Sequence, residues 1–304
     1  MGTMISIAMA TYNGAKYIRE QIESIQNQTI SDFELVVCDD CSSDDTVYIL
    51  NQYAQKDDRV HVYENEHNLG FKKNFELAIS KTSGDFVALC DQDDIWQPDH
   101  LELLLAEMKD SVQVVCGRPI FINENYQKLP LQDDYLLMYC PPTSNEDTAR
   151  HIILGRNTYQ GASMLIRKSF IERALPVPDG ANYHDCWFAI LACFMDGFVY
   201  VDKPTMKYRR FFDSVTSGEK RISAVKRFCA SIVYNYTAKD RLALIEGVRS
   251  RVKEMTKTQV SFLDGMEKRV RRDRTLWGRL LNVPYKLCHF KAIYACDFKH
   301  FFCI

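Results

Sequence analysis

No apolar run in this chain exceeds ten residues. The longest, Cys186 to Met195, is about half of the ~20 residues that a helix needs to cross a bilayer, which excludes a spanning helix. There is no excess of positive charge either. Lys and Arg number 38 against 40 Asp and Glu, a net charge of −2, so bulk electrostatics give no support to a nucleic-acid partner. The eleven cysteines follow no framework spacing and no secretory leader pattern is present. The expectation is therefore free thiols in a reducing, cytoplasmic setting. Cys38-Asp-Asp-Cys41 fits C-x-x-C, but it has no second pair and no thioredoxin-like context, so coincidence accounts for it. No G-x-G-x-x-G follows the first strand, which disfavours a dinucleotide dehydrogenase. Repeats and low-complexity tracts are also missing. What remains is an ordinary globular composition, 46% hydrophobic and 26% charged over 304 residues. That length suits one large domain or two smaller ones.

From residue 4 to about 110, strand and helix patterns alternate. Strands are expected over 4–10, 33–38, 59–63, 85–90 and 112–116. Between them the spacing predicts helices over 16–28, 43–55, 70–81 and 98–109, with Ile18, Ile22 and Ile25 on one face of the first. Such alternation argues a doubly wound, mostly parallel sheet. Residues 123–160 show few clear periods and read as loops with a short helix. Beyond them come a strand over 161–167, an apolar helix over 184–196, and strands near 198–201 and 205–209. From about residue 220 the pattern is helical, and a boundary near 218 divides a domain 1–218 from a helical region 219–304.

The chemistry concentrates in Asp91-Gln92-Asp93-Asp94. This tetrad follows an apolar strand and precedes Ile95-Trp96-Gln97-Pro98, read as a turn into a helix. Three carboxylates in four residues repel one another unless a cation lies among them. Hard oxygen ligands suit Mg²⁺ or Mn²⁺, ions that keep positions open for phosphate oxygens. In open α/β sheets, ligands bind outside the carboxyl ends of the strands. The tetrad is therefore a candidate metal–diphosphate site.

Other strand ends carry further candidates. Thr11-Tyr12-Asn13-Gly14 follows the first strand and reads equally as a nucleotide contact or as a turn with a cap. Asp39 ends the second apolar strand without being a helix cap, whereas Ser42 to Asp45 read as capping residues. Lys72 and Lys73 stand in a first helical turn, where they either face an anion or form a solvated surface. Asp185 opens the apolar helix as a dipole partner or, if it faces the metal site, as a general base.

These pieces occur in one order: Ala10-Thr-Tyr-Asn13, Val37-Cys-Asp-Asp40, Asn68-x-Gly70, Asp91-Gln-Asp-Asp94, His184-Asp185 and Tyr208-Arg209. The ordered set resembles the inverting, metal-dependent glycosyltransferases of family two, and the resemblance covers about residues 4–218. Cys90 to Trp96 is most similar to rhamnosyltransferase-type members that build bacterial surface polysaccharides. The resemblance implies the Rossmann-like A-type (GT-A) α/β fold, a mostly parallel sheet flanked by helices. It implies a nucleotide-sugar donor, dTDP-rhamnose or a UDP-sugar, and a glycan or lipid-linked acceptor. Thr11, Tyr12 and Asn13 match the first nucleotide-binding loop, and Asp39 the acid that holds the base. Lys72 and Lys73 match basic positions near the diphosphate, and Arg209 with Arg210 would bind the diphosphate directly in place of a missing His. Asp91 and Asp93 match the D-x-D pair that binds Mn²⁺ or Mg²⁺, Asp94 contacts sugar or metal, and Asp185 is the catalytic base. Phe211 stands where many members have a His that helps with metal or phosphate.

From Glu267 to Ile304 nine basic residues face three acids, a balance of +6, interleaved with aromatics such as Trp277, Tyr285 and Phe301. Such a tail suits an anionic membrane surface at the inner face of the plasma membrane, a helical cap, or a homodimer contact. Two further readings stay open. A sugar-phosphate nucleotidyltransferase uses a similar sheet but carries an early glycine- and arginine-rich loop, absent near Thr11. A degenerate glycan-binding or scaffold subunit is the non-enzymatic one.

Overall fold

The computed structural model describes residues 4–129, 144–154, 159–181, 183–195, 197–210 and 238–273. The chain divides into two compact units. Unit 1 comprises residues 1–128, 159–177 and 197–210, and unit 2 comprises 129–158, 178–196 and 211–304. The boundary expected near residue 218 falls outside the described residues.

Unit 1 is built on an eight-stranded sheet. Its strands are β1 (Ile5–Thr11), β2 (Phe33–Asp39), β3 (Val60–Glu64), β4 (Phe86–Asp91), β5 (Ile95–Trp96), β6 (Val114–Ile122), β7 (Met164–Arg167) and β8 (Phe198–Arg209). They lie in the order β3-β2-β1-β4-β7-β6-β8-β5. The β1–β2, β1–β4, β2–β3 and β6–β8 pairs are parallel. The β4–β7, β6–β7 and β5–β8 pairs are antiparallel. This is the expected α/β class, a mixed and mostly parallel sheet flanked by helices. The central strands read as continuous apolar runs because helices cover both faces of a parallel sheet.

The helices of unit 1 are α1 (Ile18–Gln26), α2 (Thr46–Ala54), α3 (Phe71–Ser80), α4 (His100–Ala106) and, after unit 2's α5 (Asn145–Ile153), α6 (Lys168–Ala174). On α1 the buried residues are Ile18, Gln21, Ile22 and Ile25, the spacing of one helical face. They join Ile5, Ile7, Met9, Leu35, Val37 and Cys90 in the core.

Three local differences from the sequence-based expectation matter for the site. Ile95 and Trp96 form a strand rather than a turn, pairing with Lys207 and Met206 of β8. The strands expected over 198–201 and 205–209 are one, because the β6–β8 ladder absorbs an irregularity at Gly117 and Arg118 instead of breaking. A Cβ on Gly117 would stand 2.3 Å from Thr205 Oγ1, so a residue without a side chain lets β8 pass at this bulge. The fifth expected strand runs on from Cys116 to Ile122.

Unit 2 is helical where described. It contains α5, α7 (His184–Phe194), α8 (Ala238–Arg251) and α9 (Lys257–Arg272). Ala149, Ile152, Trp187, Phe188, Leu244, Ile245, Leu263 and Met266 are buried within it. Helix α9 opens on a capping box between Thr256 and Gln259, and Gln259 Nε2 also donates to the Phe194 carbonyl at 2.9 Å. The helical run read over 222–232 and the aromatic tail from 274 onward lie outside the described residues.

Candidate functional site

Parallel pairing brings three strand ends to one level. In the ladder Thr11 stands opposite Asp39, and Ala10 stands opposite Asp91. The carboxyl edge of β2-β1-β4 therefore carries the first loop, the Asp39-Asp40 pair and the acidic tetrad side by side.

Asp39 is buried and organises this edge. It accepts the Thr11 hydroxyl at 2.7 Å, the Ser42 hydroxyl at 2.6 Å and the Ser42 N–H at 2.7 Å. Ser42 Oγ in turn accepts the Asn13 N–H at 2.8 Å, and the Asn13 side-chain oxygen accepts the Ser43 N–H at 2.8 Å. Asn13 has a φ of 50°, a conformation that Asn tolerates better than most residues. Tyr12 is half exposed, and its main chain forms a reciprocal pair with Gln92. The Tyr12 N–H donates to Gln92 Oε1 at 2.8 Å, and Gln92 Nε2 donates to the Tyr12 carbonyl at 3.0 Å. Gly14 leaves room for the Gln92 amide: a Cβ would lie 2.3 Å from Gln92 Oε1, so the end of that side chain would have to move. Asp44 works in two directions: its Oδ1 accepts the Thr46 N–H at 3.0 Å at the start of α2, and its Oδ2 accepts the Ala15 N–H at 3.0 Å, which ties the first loop to the second.

Asp40 points the other way and is a scaffold. It accepts the N–H groups of Leu69 and Gly70 at 2.7 and 2.8 Å and the Asn65 amide at 2.9 Å. Gly70, with φ of 78°, adopts a conformation that suits glycine just before α3. Lys72 and Lys73 follow in the first turn of α3, where Lys73 Nζ is 2.7 Å from Glu76 Oε2.

Within the tetrad, Asp91 and Asp93 are partly exposed and Asp94 is buried. Asp94 Oδ1 accepts the Arg209 N–H at 3.0 Å, and its buried Oδ2 has no hydrogen-bond partner among the described residues. Burial raises the Asp93 pKa to about 6, opposed by its own backbone N–H and by Arg209. Burial also pushes Asp94 well above the usual carboxylate range, reinforced by the charges of Asp93 and Asp91. Anionic oxygens are thus crowded where water cannot stabilise them, the environment that a cation relieves. Among the described residues no group of three His, Cys, Asp or Glu side chains is arranged to hold an ion alone. Two carboxylates completed by substrate phosphates are the usual arrangement for Mg²⁺, so the set fits a hard divalent ion held jointly with a ligand.

Arg209 lies beside the tetrad with its side chain wholly buried. Nε donates to the Asp93 carbonyl at 2.9 Å and Nη2 to Glu20 Oε2 at 2.7 Å. The Tyr17 and Tyr126 rings lie 4.5 and 4.7 Å from the guanidinium carbon. Nothing in the sequence pattern singled out Glu20, Tyr126 or Gln92. The first two come from a helix face and a loop about 100 residues apart, and only Gln92 carried a signal, its place inside the tetrad.

Asp185 belongs to unit 2. Of the eleven residues of α7 it alone is not buried, and its Oδ1 accepts the Cys186 N–H at 2.6 Å. A carboxylate in the first helical turn is favoured by the helix dipole. Cys38 and Cys41 are both free, the first buried and the second exposed, with burial pushing the Cys38 thiol up to about 11. Phe211 lies outside the described residues.

Comparison with known proteins is consistent with this geometry. The model of Glycosyl transferase family 2 matches residues 6–175. The chain is 36% identical over 126 residues to an uncharacterised glycosyltransferase of Methanocaldococcus jannaschii, covering 40% of this chain and 43% of that protein. It is 35% identical over 123 residues to the UDP-Glc:alpha-D-GlcNAc-diphosphoundecaprenol beta-1,3-glucosyltransferase WfgD of Escherichia coli, covering 40% and 48%. A putative glycosyltransferase, EpsH of Bacillus subtilis, is 28% identical over 218 residues, covering 69% and 62%. The chain thus spans less than two thirds of the length of each of these relatives. Among solved structures, S. aureus TarS (1-349) in complex with UDP-GlcNAc has a TM-score of 0.58 at 16% identity, covering 96% of this chain and 78% of that one. The mannosyltransferase PcManGT from Pyrobaculum calidifontis, in complex with GDP-Man and Mn²⁺, has a TM-score of 0.56 at 16% identity, covering 95% and 80%. At these identities the likeness is one of fold.

Proposed function

The chain belongs to glycosyl transferase family 2, and from that premise we propose that it moves a sugar from a nucleotide-diphosphate donor to a hydroxyl of a glycan or lipid-linked acceptor, with inversion at the anomeric carbon, in surface-polysaccharide synthesis. The observation that carries this reading is the juxtaposition of Thr11, Asp39 and Asp91 at one level of the parallel sheet. A nucleotide needs donors and acceptors for its base and ribose, and a diphosphate needs positive charge; adjacent strand ends hold residues for both. The kinship to WfgD, whose name gives a UDP-Glc donor and a diphosphoundecaprenol acceptor, supports a nucleotide sugar and a lipid-linked glycan here. The spelling of Cys90 to Trp96 keeps dTDP-rhamnose beside the UDP-sugars as a candidate donor.

In this proposal Thr11, Tyr12 and Asn13 line the nucleotide, with Asp39 accepting from its base. Asp91 and Asp93 hold Mn²⁺ or Mg²⁺, which when bound supplies positive charge to the departing diphosphate. Asp94 orders the tetrad and serves the sugar side. Lys72, Lys73 and Arg209 add positive charge near the phosphates. The Asp185 carboxylate takes the proton of the acceptor hydroxyl. The acceptor oxygen forms a new bond to the anomeric carbon from the face opposite the nucleotide. The bond from that carbon to the diphosphate oxygen breaks, and its electron pair leaves with the diphosphate. One displacement inverts the configuration. No described helix is long and apolar enough to cross a membrane. The basic tail is proposed to rest at the inner face of the plasma membrane and to bring the site to a lipid-linked acceptor, with homodimerisation its other use.

The test is a thermal-shift screen of UDP-glucose, UDP-GlcNAc, GDP-mannose and dTDP-rhamnose with and without Mn²⁺. A ligand that binds the folded state raises the melting temperature, by about 2.7 kcal/mol of stabilisation at a hundred times its Kd. A metal-dependent rise with one or two of these donors supports the proposal. No shift with any of them, together with no metal-dependent hydrolysis, defeats it.

A further inference from the structure

Arg209 is a buried cation with a choice of carboxylates. Its side chain is 0% exposed, and a buried guanidinium left unpaired costs several kcal/mol. The carboxylates of Asp93 and Asp94 are close enough for its charge to act on both. Yet the hydrogen bonds of its side chain go elsewhere, while its main-chain N–H donates to Asp94 Oδ1 at 3.0 Å. Nε takes the main-chain oxygen of Asp93 at 2.9 Å, and Nη2 takes Glu20 Oε2, from α1, at 2.7 Å. Tyr17 and Tyr126 stack on the guanidinium at 4.5 and 4.7 Å and restrict its tilt. The Tyr126 hydroxyl donates to the other Glu20 oxygen, Oε1, so both oxygens of that carboxylate are engaged. Among the described residues, the buried Arg209 Nη1 has no hydrogen-bond partner.

We infer that Glu20 is a positioning residue: it draws the Arg209 guanidinium onto its own carboxylate and off that of Asp93, leaving Asp93 available, with Asp91, to a divalent cation. This rests on the proposed reading of the tetrad as a cation–diphosphate site. The physical reason is competition. An arginine fork and a divalent ion seek the same carboxylate oxygens. Without the Glu20 charge, the guanidinium remains buried and still needs an anion, and Asp93, whose carbonyl already accepts from its Nε, offers one. An internal ion pair would then form where the cation should bind. Glu20 also offsets the Arg209 charge, so that charge opposes an incoming cation less.

The experiment measures Mn²⁺ binding to the full chain from the EPR signal of free Mn²⁺, with and without UDP. Circular dichroism melting of each variant reports its fold. Glu20→Gln, which keeps the shape and removes the charge, is expected to weaken Mn²⁺ binding about tenfold or more, the usual scale for a residue behind the ligands. Tyr126→Phe, which loosens Glu20, is expected to weaken it less and in the same direction. The double variant Glu20→Gln/Arg209→Gln has no guanidinium to intrude, so it is expected to bind Mn²⁺ more tightly than Glu20→Gln alone. A purely structural role for Glu20 would not produce that recovery. If the wild-type chain binds no Mn²⁺ under either condition, the tetrad reading falls and this inference with it. If the wild type binds and Glu20→Gln binds as tightly, the inference alone is overturned. A double variant no better than the single one overturns it too. Should Glu20→Gln not fold, Tyr126→Phe decides: unchanged binding is the refuting result.

Discussion

Asp94 accepts the main-chain N–H of Arg209 at 3.0 Å, so the last acid of the tetrad and the last residue of β8 are held as one piece. The pairing of Ile95 with Lys207 and of Trp96 with Met206 makes this contact possible. Asp94→Asn keeps an oxygen that can accept the Arg209 N–H and removes a buried charge. The expected result is an unchanged or raised melting temperature in metal-free buffer, because an uncompensated buried carboxylate is costly. Transfer should fall by at least about tenfold, a loss near 1.4 kcal/mol in transition-state stabilisation. Parallel melting and activity measurements check this; a strongly destabilised variant would show that the charge of Asp94 supports the fold.

Asp39 and Asp40 are adjacent and both buried, yet their substitutions should separate cleanly. Asp40→Ala strands the N–H groups of Leu69 and Gly70 and the Asn65 amide. Each stranded buried donor costs about 1–3 kcal/mol, so a loss of about 3 kcal/mol in urea unfolding is expected. Asp39→Asn should instead act mainly on the donor. Affinity for the nucleotide, read by calorimetry, is expected to drop with a smaller change in stability. Equal stability losses for the two would contradict this division of labour.

Asp93→Ala is expected to abolish transfer and leave the melting curve nearly intact, since the carboxylate is partly exposed and its hydrogen bond is to its own backbone N–H. Asp185→Asn is expected to bind the donor as the wild type does and to lose transfer, because the amide cannot accept the acceptor's proton. Donor affinity by calorimetry and single-turnover transfer distinguish the two. A loss of donor affinity in Asp185→Asn would place that residue in donor binding.

His100 predicts an acid limit to stability. It is fully buried, stacked on Trp96 with ring centroids 4.1 Å apart, and its Nδ1 lies 3.0 Å from the Thr205 carbonyl, to which it must donate. Burial lowers its pKa from 6.5 to about 3, against the opposing hydrogen bond to Thr205. Between those values the unfolded chain binds a proton that the folded chain does not. The contribution is complete above pH 6.5 and is lost as pH falls through the window, by up to about 1.4 kcal/mol per pH unit. Urea unfolding at several pH values should show a steeper decline in the wild type than in His100→Gln. Parallel curves would refute this.

Gly14→Ala tests the bracket between the first loop and the tetrad. The new Cβ would meet Gln92 Oε1 at 2.3 Å and expel the side chain from its pair with Tyr12. Weaker donor binding with a stability loss of about 1 kcal/mol or less is expected, because the displaced group is the end of a flexible, partly exposed side chain. Wild-type affinity would mean that the bracket has no part in donor binding.

Much of this protein was legible in the one-dimensional pattern. Apolar runs such as Met4 to Ala10 and Phe33 to Cys38, bounded by polar clusters, define strands that must be covered on both faces. The carboxylates at their ends are conspicuous because no local rule of helix or turn demands them. Alternation of strand and helix then dictates a parallel sheet, which places those ends together. What the pattern left open are the relations set by distant chain. Asp39 and Asp40 look equivalent in sequence, but alternate residues at a strand's end point apart, so one faces Thr11 and Ser42 and the other holds the loop at Leu69 and Gly70. Two residues, Ile95 and Trp96, were too few to show a strand period, and only the edge of β8 made them one. Glu20 and Tyr126 carried no signal, since each reads as an ordinary polar surface residue of its own segment. Local spacing encodes what a segment must bury, whereas the partner of a buried charge such as Arg209 is chosen by which chain folds against it.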